Sequence, residues 1–551
     1  MRKSAKIRKQ VLSLAQNTKK NFLVGAMILS AALVIVKIIG FFYKIPLFNL
    51  IGGDGWGYYN DAYQVYSLMF VISTAGIPVA IAKLISESNA IGRIHEPRKI
   101  LNLSLISFSI VGFVGMSVLI LFARIFAENI VKTPESTLSI IAIAPAVFFV
   151  SLGSTFKGYF QGYKNMAPTA IYQILEAVAK LLGLVIVIVM IAMGYDDPAL
   201  LSCGAIMGVT LGSLVSSTYM FIRFYFGKEQ IETNVDKPLE SRSNSVLFRA
   251  MVKIAIPVTL SSSVMSLTSL IDMVLVKNSL IASGLTPEQS NFIYGSFSGC
   301  CYSLFNLPPT ITQTIGISVL PFISGLFSTG KKKEAYNNMD SALRIVSLIA
   351  APCAIGLSVF SKPILSLIYG SRPDEVAIAA PAFTILALGI YLVAMVYPTN
   401  TFLQACSKAK MPLFTMLIGA ILKIITNCTL VATPTIRING APFGTLLCYG
   451  SILILNLIIL YKLQKYRPNF KSVFLKPILC SAVSVFASYG IYLLTKGFIA
   501  PKFATIVAIG IAGLLYVIAI FITKSLNRDD VILLPKGEKI ADLLTKKGLI
   551  K

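Results

Sequence analysis

The chain has 551 residues, of which 56% are hydrophobic and 13% charged; an ordinary soluble domain is about 25% charged. A chain this apolar cannot cover a water-facing surface of its size, which excludes a soluble multidomain enzyme and a disordered chain and leaves an integral membrane protein. Lys and Arg outnumber Asp and Glu by 49 to 23, a net charge of +26; in so apolar a chain the excess reads as cytoplasmic loops meeting anionic lipid, not as a nucleic-acid surface.

In chain order, residues 1–21 form a basic segment expected to lie on the cytoplasmic membrane surface. Fourteen apolar runs follow, each long enough to cross a bilayer: 22–50, 57–86, 99–127, 136–160, 168–194, 199–226, 248–278, 290–327, 338–360, 376–402, 411–432, 439–463, 475–495 and 503–524. They lack the period-two alternation of strands, so the fold class is all-α. The first run is too long for a cleavable signal. The longest interior polar stretch, KEQIETNVDKPLESRSNSV at 228–246, divides six spans from eight. The expected organisation is an N-terminal lobe at 22–227, the 228–246 linker, a C-terminal lobe at 247–463, two further spans within 464–525 and a basic cytoplasmic tail at 526–551.

With the N-terminus inside, 37 of the 49 Lys and Arg fall in cytoplasmic segments, eight outside and four within spans. That asymmetry predicts an even number of spans and two cytoplasmic termini. Lys157 is counted in this scheme with the cytoplasmic segment 157–167.

The two halves resemble each other. FQGYKNMAPTAIYQILEAVAKLLG (160–183) aligns with LQACSKAKMPLFTMLIGAILKIIT (403–426): Gln161 and Lys180 are 19 apart, as are Gln404 and Lys423, and Pro168 and Pro412 open the second helix of each pair. TAGIPV (74–79) matches TIGISV (314–319) at a similar offset. Two halves that both start inside form a parallel repeat, and transporters with such repeats place the substrate path between them near the midplane.

Four lysines stand inside spans, and a lysine at mid-bilayer costs about 2.5–3.5 kcal/mol on insertion scales. By helical rise, Lys37, Lys180 and Lys423 lie near the midplane. Lys44 and Asp61 lie nearer the outside, flanking GGDGWGYYND (52–61), and Asp272 stands in the outer part of its span. Glu176 and Lys180 share one helix face and are spaced for an ion pair. Lys37 and Lys423 have no partner one turn away, so each is a candidate contact for an anionic ligand, the bland alternative being snorkelling or a pairing with an acid on another helix. NLPPTITQTIGISVLP (306–321) carries Pro308, Pro309 and Pro321 and is expected to break its helix; Pro46 and Pro78 are expected to kink theirs.

Chemistry motifs point away from catalysis. The only histidine, His95, is in a polar loop, and none of the eight cysteines makes a C-x-x-C pair. With no P-loop, H-E-x-x-H or G-x-S-x-G, the chain is expected to be no enzyme and to hold no cofactor or metal.

On these residues the chain resembles the polysaccharide-exporting branch of the multidrug/oligosaccharidyl-lipid/polysaccharide (MOP) exporter superfamily, and within it the stage V sporulation protein B group (SpoVB/YtgP-like), relatives of the MurJ-type lipid II flippases. GYFQGYKNMAPTAIYQILEAVAKLL (158–182) carries the resemblance most specifically, supported by VKIIGFFYKIPLFNLIGGDGWGYYNDAYQ (36–64) and TIGISVLP (314–321). It implies two six-helix lobes in a V around a central cavity, plus two C-terminal helices. It also implies cavity cations meeting a lipid pyrophosphate, with Lys37 at the basic position of the first span and Asp61 at the acidic position that follows. Ser73, Thr74, Tyr302 and Ser303 stand where other flippases could supply further cavity arginines. The implied function is translocation of an undecaprenyl-linked saccharide, lipid II foremost, across the bacterial cytoplasmic membrane by alternating access. Its partners would be that lipid-linked oligosaccharide, membrane lipids and envelope-synthesis proteins. A drug/cation antiporter of the same superfamily (MATE-like) and a non-transporting scaffold of envelope assembly are the alternatives.

Overall fold

The computed structural model describes residues 2–227, 239–406, 408, 410–528, 530, 542, 545 and 546, with the backbone alone for 2–27, 30, 261, 264, 265, 317, 318 and 321. Residues 228–238 of the expected linker and most of the 526–551 tail lie outside the described residues.

The described residues form helices and no strand. In chain order they are α1 (Arg2–Thr74), α2 (Gly76–Ile91), α3 (Glu96–Leu121), the single turn α4 (Ala123–Ile125), α5 (Thr137–Gly162), α6 (Ala167–Ala179), α7 (Leu181–Ala192), α8 (Pro198–Phe226), α9 (Asn244–Ala282), α10 (Pro287–Ser328), α11 (Lys332–Val359), α12 (Ser361–Ile368), α13 (Pro373–Ala405), α14 (Met411–Thr426), α15 (Gly440–Gln464), α16 (Lys476–Thr495) and α17 (Pro501–Ile522). Eleven helical stretches among the described residues are long and apolar enough to cross a membrane. The chain is an all-α polytopic membrane protein. One of these stretches, Ala31–Ile91, has 61 residues, where a single crossing needs about 20.

Two breaks divide that long stretch. Gly52 takes φ 70°, ψ −172° within α1, a conformation that only glycine adopts cheaply. The second break is at Ala75, where α1 ends and α2 begins at Gly76. The expected continuous span 57–86 is therefore interrupted. Pro78 sits in the first turn of α2, where a missing N–H forfeits no helical bond. A Cβ at Gly76 would stand 2.2 Å from the Ala255 carbonyl oxygen, so the two backbones meet there without side chains between them.

The expected break at Pro308 and Pro309 does not occur. The helix α10 runs unbroken for 42 residues through both prolines and through the backbone of Pro321. Threonine hydroxyls follow the prolines and donate to nearby carbonyls, Thr310 to Asn306 at 2.8 Å and Thr312 to Pro309 at 3.0 Å. Packing of α10 on α11 and α13 holds the rest of the helix straight enough to continue, and such tertiary context overrides local propensity.

The chain divides into two units, Met1–Val274 and Leu275–Lys551. In the first, α5 is the central helix and packs on α1, α2, α3 and α8. Glycines make these contacts close: Cβ atoms at Gly158 and Gly162 would stand 2.8 Å and 2.7 Å from Ile81 and Ile85 side-chain carbons of α2. In the second, α13 is central and packs on α10, α11 and α15. Shifted by the repeat offset read from the sequence, α3 falls on α11, α5 on α13 and α8 on α15. The central helix of each unit thus has the same neighbours in the order of the repeat.

Many large apolar side chains remain exposed, among them Ile106, Ile110, Phe113 and Leu121 on α3, as expected of a lipid-facing surface. Inside the second unit the chain after α17 is fastened by charge. Arg344 Nη1 of α11 donates to both carboxylate oxygens of Asp530, at 2.7 and 2.8 Å, with the side chains 7% and 0% exposed. Breaking a buried pair strands its partner, whereas replacing both groups with apolar ones does not. Asp530→Ala is expected to cost about 3–5 kcal/mol, and Arg344→Met combined with Asp530→Leu much less; thermal unfolding of the purified protein in detergent checks the difference.

Candidate functional site

The lysines that the sequence singles out come together in the first unit. Lys37 and Lys44 lie two turns apart on α1, and both side chains are exposed. Lys44 lies in coulombic range of both Lys37 and Lys180. Lys180 occupies the joint between α6 and α7, where its carbonyl accepts from Gly183 N at 3.0 Å and the helix tightens locally. Its Nζ donates to Glu176 Oε1 at 2.8 Å, with the two side chains 28% and 20% exposed. The expected ion pair therefore forms.

This pair is seated on a small-residue seam. Gly204, Gly208 and Gly212 recur every four residues on α8, the spacing that lets membrane helices touch backbone to backbone. A Cβ at Gly212 would stand 2.8 Å from the Glu176 carbonyl and 3.1 Å from Lys180 Cγ; one at Gly208 would stand 2.6 Å from the Lys180 carbonyl. The α8 glycines thus fix where the charged turn lies.

A fourth cation joins the group. Lys157 sits on α5, its Nζ 4.3 Å from the centroid of the Tyr172 ring of α6, and it interacts electrostatically with Glu176 and Lys180. The charge count groups it with the segment 157–167, at the end of the expected span 136–160; in the structure α5 runs on to Gly162 and Lys157 faces the Tyr172 ring of α6. At Gly153, one turn before it, a Cβ would strike Tyr172 at 2.7 Å, so the Gly153–Lys157 face of α5 is the face that meets α6. The site is thus a run of four ammonium groups, Lys157 and Lys180 in range of the Glu176 carboxylate, Lys44 in range of Lys180 and Lys37 in range of Lys44, beside a row of tyrosines on α1: Tyr59 and Tyr63 both lie in electrostatic range of Lys180. Such a set is under mutual repulsion, which an anion of several charges relieves. Lysines offer it compact point charges and not the planar fork of arginine.

The other expected site residues lie elsewhere. Asp61 is fully buried and accepts from Thr133 Oγ1 at 2.6 Å and Ser136 Oγ at 2.9 Å. It anchors the connection before α5, so in this structure it is an interior group and not an accessible one. Asp272 is half-buried on α9. Lys423 belongs to the second unit and makes a polar or electrostatic contact there. Its Cγ lies 3.4 Å from where a Cβ at Gly444 of α15 would stand, as Lys180 lies against Gly212. Four residues beyond Lys423, a turn of π-helix begins at Asn427. Each repeat therefore sets a lysine at a local irregularity, its stem across a glycine of a neighbouring helix.

None of the eight cysteines is in a disulfide, and among the described residues no three His, Cys, Asp or Glu gather as a metal site would require. Removing the Asp61 carboxylate takes the acceptor from the buried Ser136 hydroxyl and leaves that of Thr133 to the Val131 carbonyl at 3.2 Å; an unsatisfied buried group costs about 1–3 kcal/mol. Asp61→Ala is expected to lower the melting temperature of the detergent-solubilised protein, and Lys37→Ala, at an accessible position, to leave it within about a degree of wild type.

The polysaccharide biosynthesis protein family matches residues 22–327, and the MatE family matches residues 298–429. Stage V sporulation protein B of Bacillus subtilis (strain 168) is 26% identical over 479 residues, 86% of this chain and 91% of that protein. Lipid II flippase MurJ of the same organism is 22% identical over 453 residues, 80% of this chain and 83% of that protein. Among solved structures, the inward closed conformation of a lipid II flippase MurJ superposes with a TM-score of 0.68 at 17% identity, over 90% of this chain and 98% of that one.

Proposed function

The chain belongs to the polysaccharide biosynthesis protein family, and from that premise we propose that it is a flippase for an undecaprenyl-pyrophosphate-linked saccharide, with lipid II as the foremost cargo. The observation that carries this reading is a run of cations through the first unit: Lys157 and Lys180 at the Glu176 carboxylate, Lys44 in electrostatic range of Lys180, and Lys37 in range of Lys44. Buried or half-buried ammonium groups are costly in a membrane and are retained where an anion passes. A pyrophosphate supplies the negative charge and the acceptor oxygens that four lysines need.

In this proposal the chain crosses the bacterial cytoplasmic membrane fourteen times with both termini cytoplasmic, as the charge asymmetry supports. The polar headgroup leaves the cytoplasmic leaflet past Lys157, at the cytoplasmic end of its span. Its pyrophosphate pairs near the midplane with Lys37 and with Lys180, the latter held in place by Glu176, and Lys44 lies on the outward side of them. The prenyl tail stays in lipid. No covalent bond changes; alternating access moves the headgroup across. Membrane potential is a sufficient drive, since a charge crossing it gains about 2.3 kcal/mol per 100 mV.

Translocation of lipid II by the purified chain in proteoliposomes, wild type beside Lys37→Ala, tests the reading. Transport in wild type, falling at least about tenfold in the variant (about 1.4 kcal/mol), is the expected result. Equal transport by both removes Lys37 from the site. No lipid II transport by wild type, together with cation-driven dye efflux, replaces the flippase with an antiporter.

A further inference from the structure

Five aromatic rings follow one face of α1 on the C-terminal side of the Gly52 break. Trp56 stacks on Tyr59 at 5.2 Å and 19°, and Tyr59 on Tyr63 at 6.3 Å and 7°; Tyr66 and Phe70 continue the row at 6.0 and 5.6 Å with tilted planes. The spacing of 3, 4, 3 and 4 residues is one helical face. Trp56, Tyr59 and Tyr66 are 4–7% exposed, as packing alone explains. Tyr63 is different: it is 39% exposed while its neighbours hold its ring parallel to Tyr59. Nor is its surrounding that of a lipid-facing residue, for it lies in electrostatic range of Lys180, the cation paired with Glu176.

A rigid, accessible ring next to an anion-binding cluster is a surface for one particular kind of ligand. The face of an aromatic ring carries negative potential. The face of a pyranose that carries axial C–H groups is apolar and weakly positive, and such C–H donors make weak contacts that add to the burial of that face. We propose that Tyr63 is the platform for the sugar ring next to the pyrophosphate, so that the lysines read the charge of the cargo and Tyr63 reads that it is a saccharide. The proposal rests on the flippase reading above and adds to it a residue that sets specificity. Because Tyr59 and Trp56 back the platform, no side chain need be ordered when the sugar arrives. The hydroxyl of Tyr63 is not the essential group; its ring is.

Equilibrium binding to the purified full-length chain in lipid nanodiscs tests this with two probes, undecaprenyl pyrophosphate and undecaprenyl pyrophosphate bearing a disaccharide. Tyr63→Ala is expected to weaken binding of the saccharide lipid about tenfold while leaving the sugar-free lipid unchanged. Tyr63→Phe and Tyr63→Trp are expected to bind both as wild type does. Equal weakening for both probes, or for neither, overturns the platform and leaves the flippase reading standing. Wild type that binds neither probe overturns the flippase reading and the platform with it.

Discussion

An ammonium and a carboxylate 2.8 Å apart on one turn of a membrane helix govern what the first unit can hold. Alone, Lys180 would carry the cost of a charge in the membrane; paired with Glu176 it is tolerated, and the pair together is neutral. That neutrality leaves Lys37, Lys44 and Lys157 as the uncompensated charge around it. The surroundings serve this arrangement. The glycines of α8 bring its backbone against Glu176 and Lys180, the ring of Tyr172 takes the face of Lys157, and the tyrosine row of α1 runs past Lys180. A Cβ at Gly212 would require the charged turn itself to move, so the position of the site and the packing of α6 on α8 are one constraint.

The repeat extends the same design to the second unit. Its central helix α13 has the neighbours that α5 has, and Lys423 lies against Gly444 as Lys180 lies against Gly212. The copies differ in chemistry. Gly419 stands one turn before Lys423, where the first copy has Glu176, so the second lysine lacks the built-in carboxylate. Duplication has kept the backbone device, a lysine stem over a glycine, and let the charge balance diverge.

Much of this was legible in the residues. Past the first two spans, whose expected bounds miss the breaks at Gly52 and Ala75, long apolar runs punctuated by proline and glycine give helices near their observed bounds, and the four-residue spacing of Glu176 and Lys180 gives the pair. The failures have physical causes. Pro308 and Pro309 signal a break by local rules, but a 42-residue helix packed along its length loses only a few bonds to them. Asp61 looks like a site carboxylate beside a glycine-rich connection; what buries it are two hydroxyls more than 70 residues further on. Lys157 falls where the expected span 136–160 overlaps the basic segment 157–167, and charge counting alone does not show that it faces Tyr172. The exposure of Tyr63 within a buried aromatic row depends on which neighbours surround it, and no periodicity carries that.

The central claim is that the lysine cluster recognises charge on a lipid headgroup. Its most direct measurement compares the affinity of the purified chain for undecaprenyl pyrophosphate with that for undecaprenol, the same tail without charge. The account predicts that the pyrophosphate binds at least about 100-fold more tightly (about 2.7 kcal/mol), and that the gap narrows stepwise as Lys37, Lys44 and Lys157 are changed in turn to Gln. Equal affinity for the two lipids, or a gap indifferent to those changes, would contradict it.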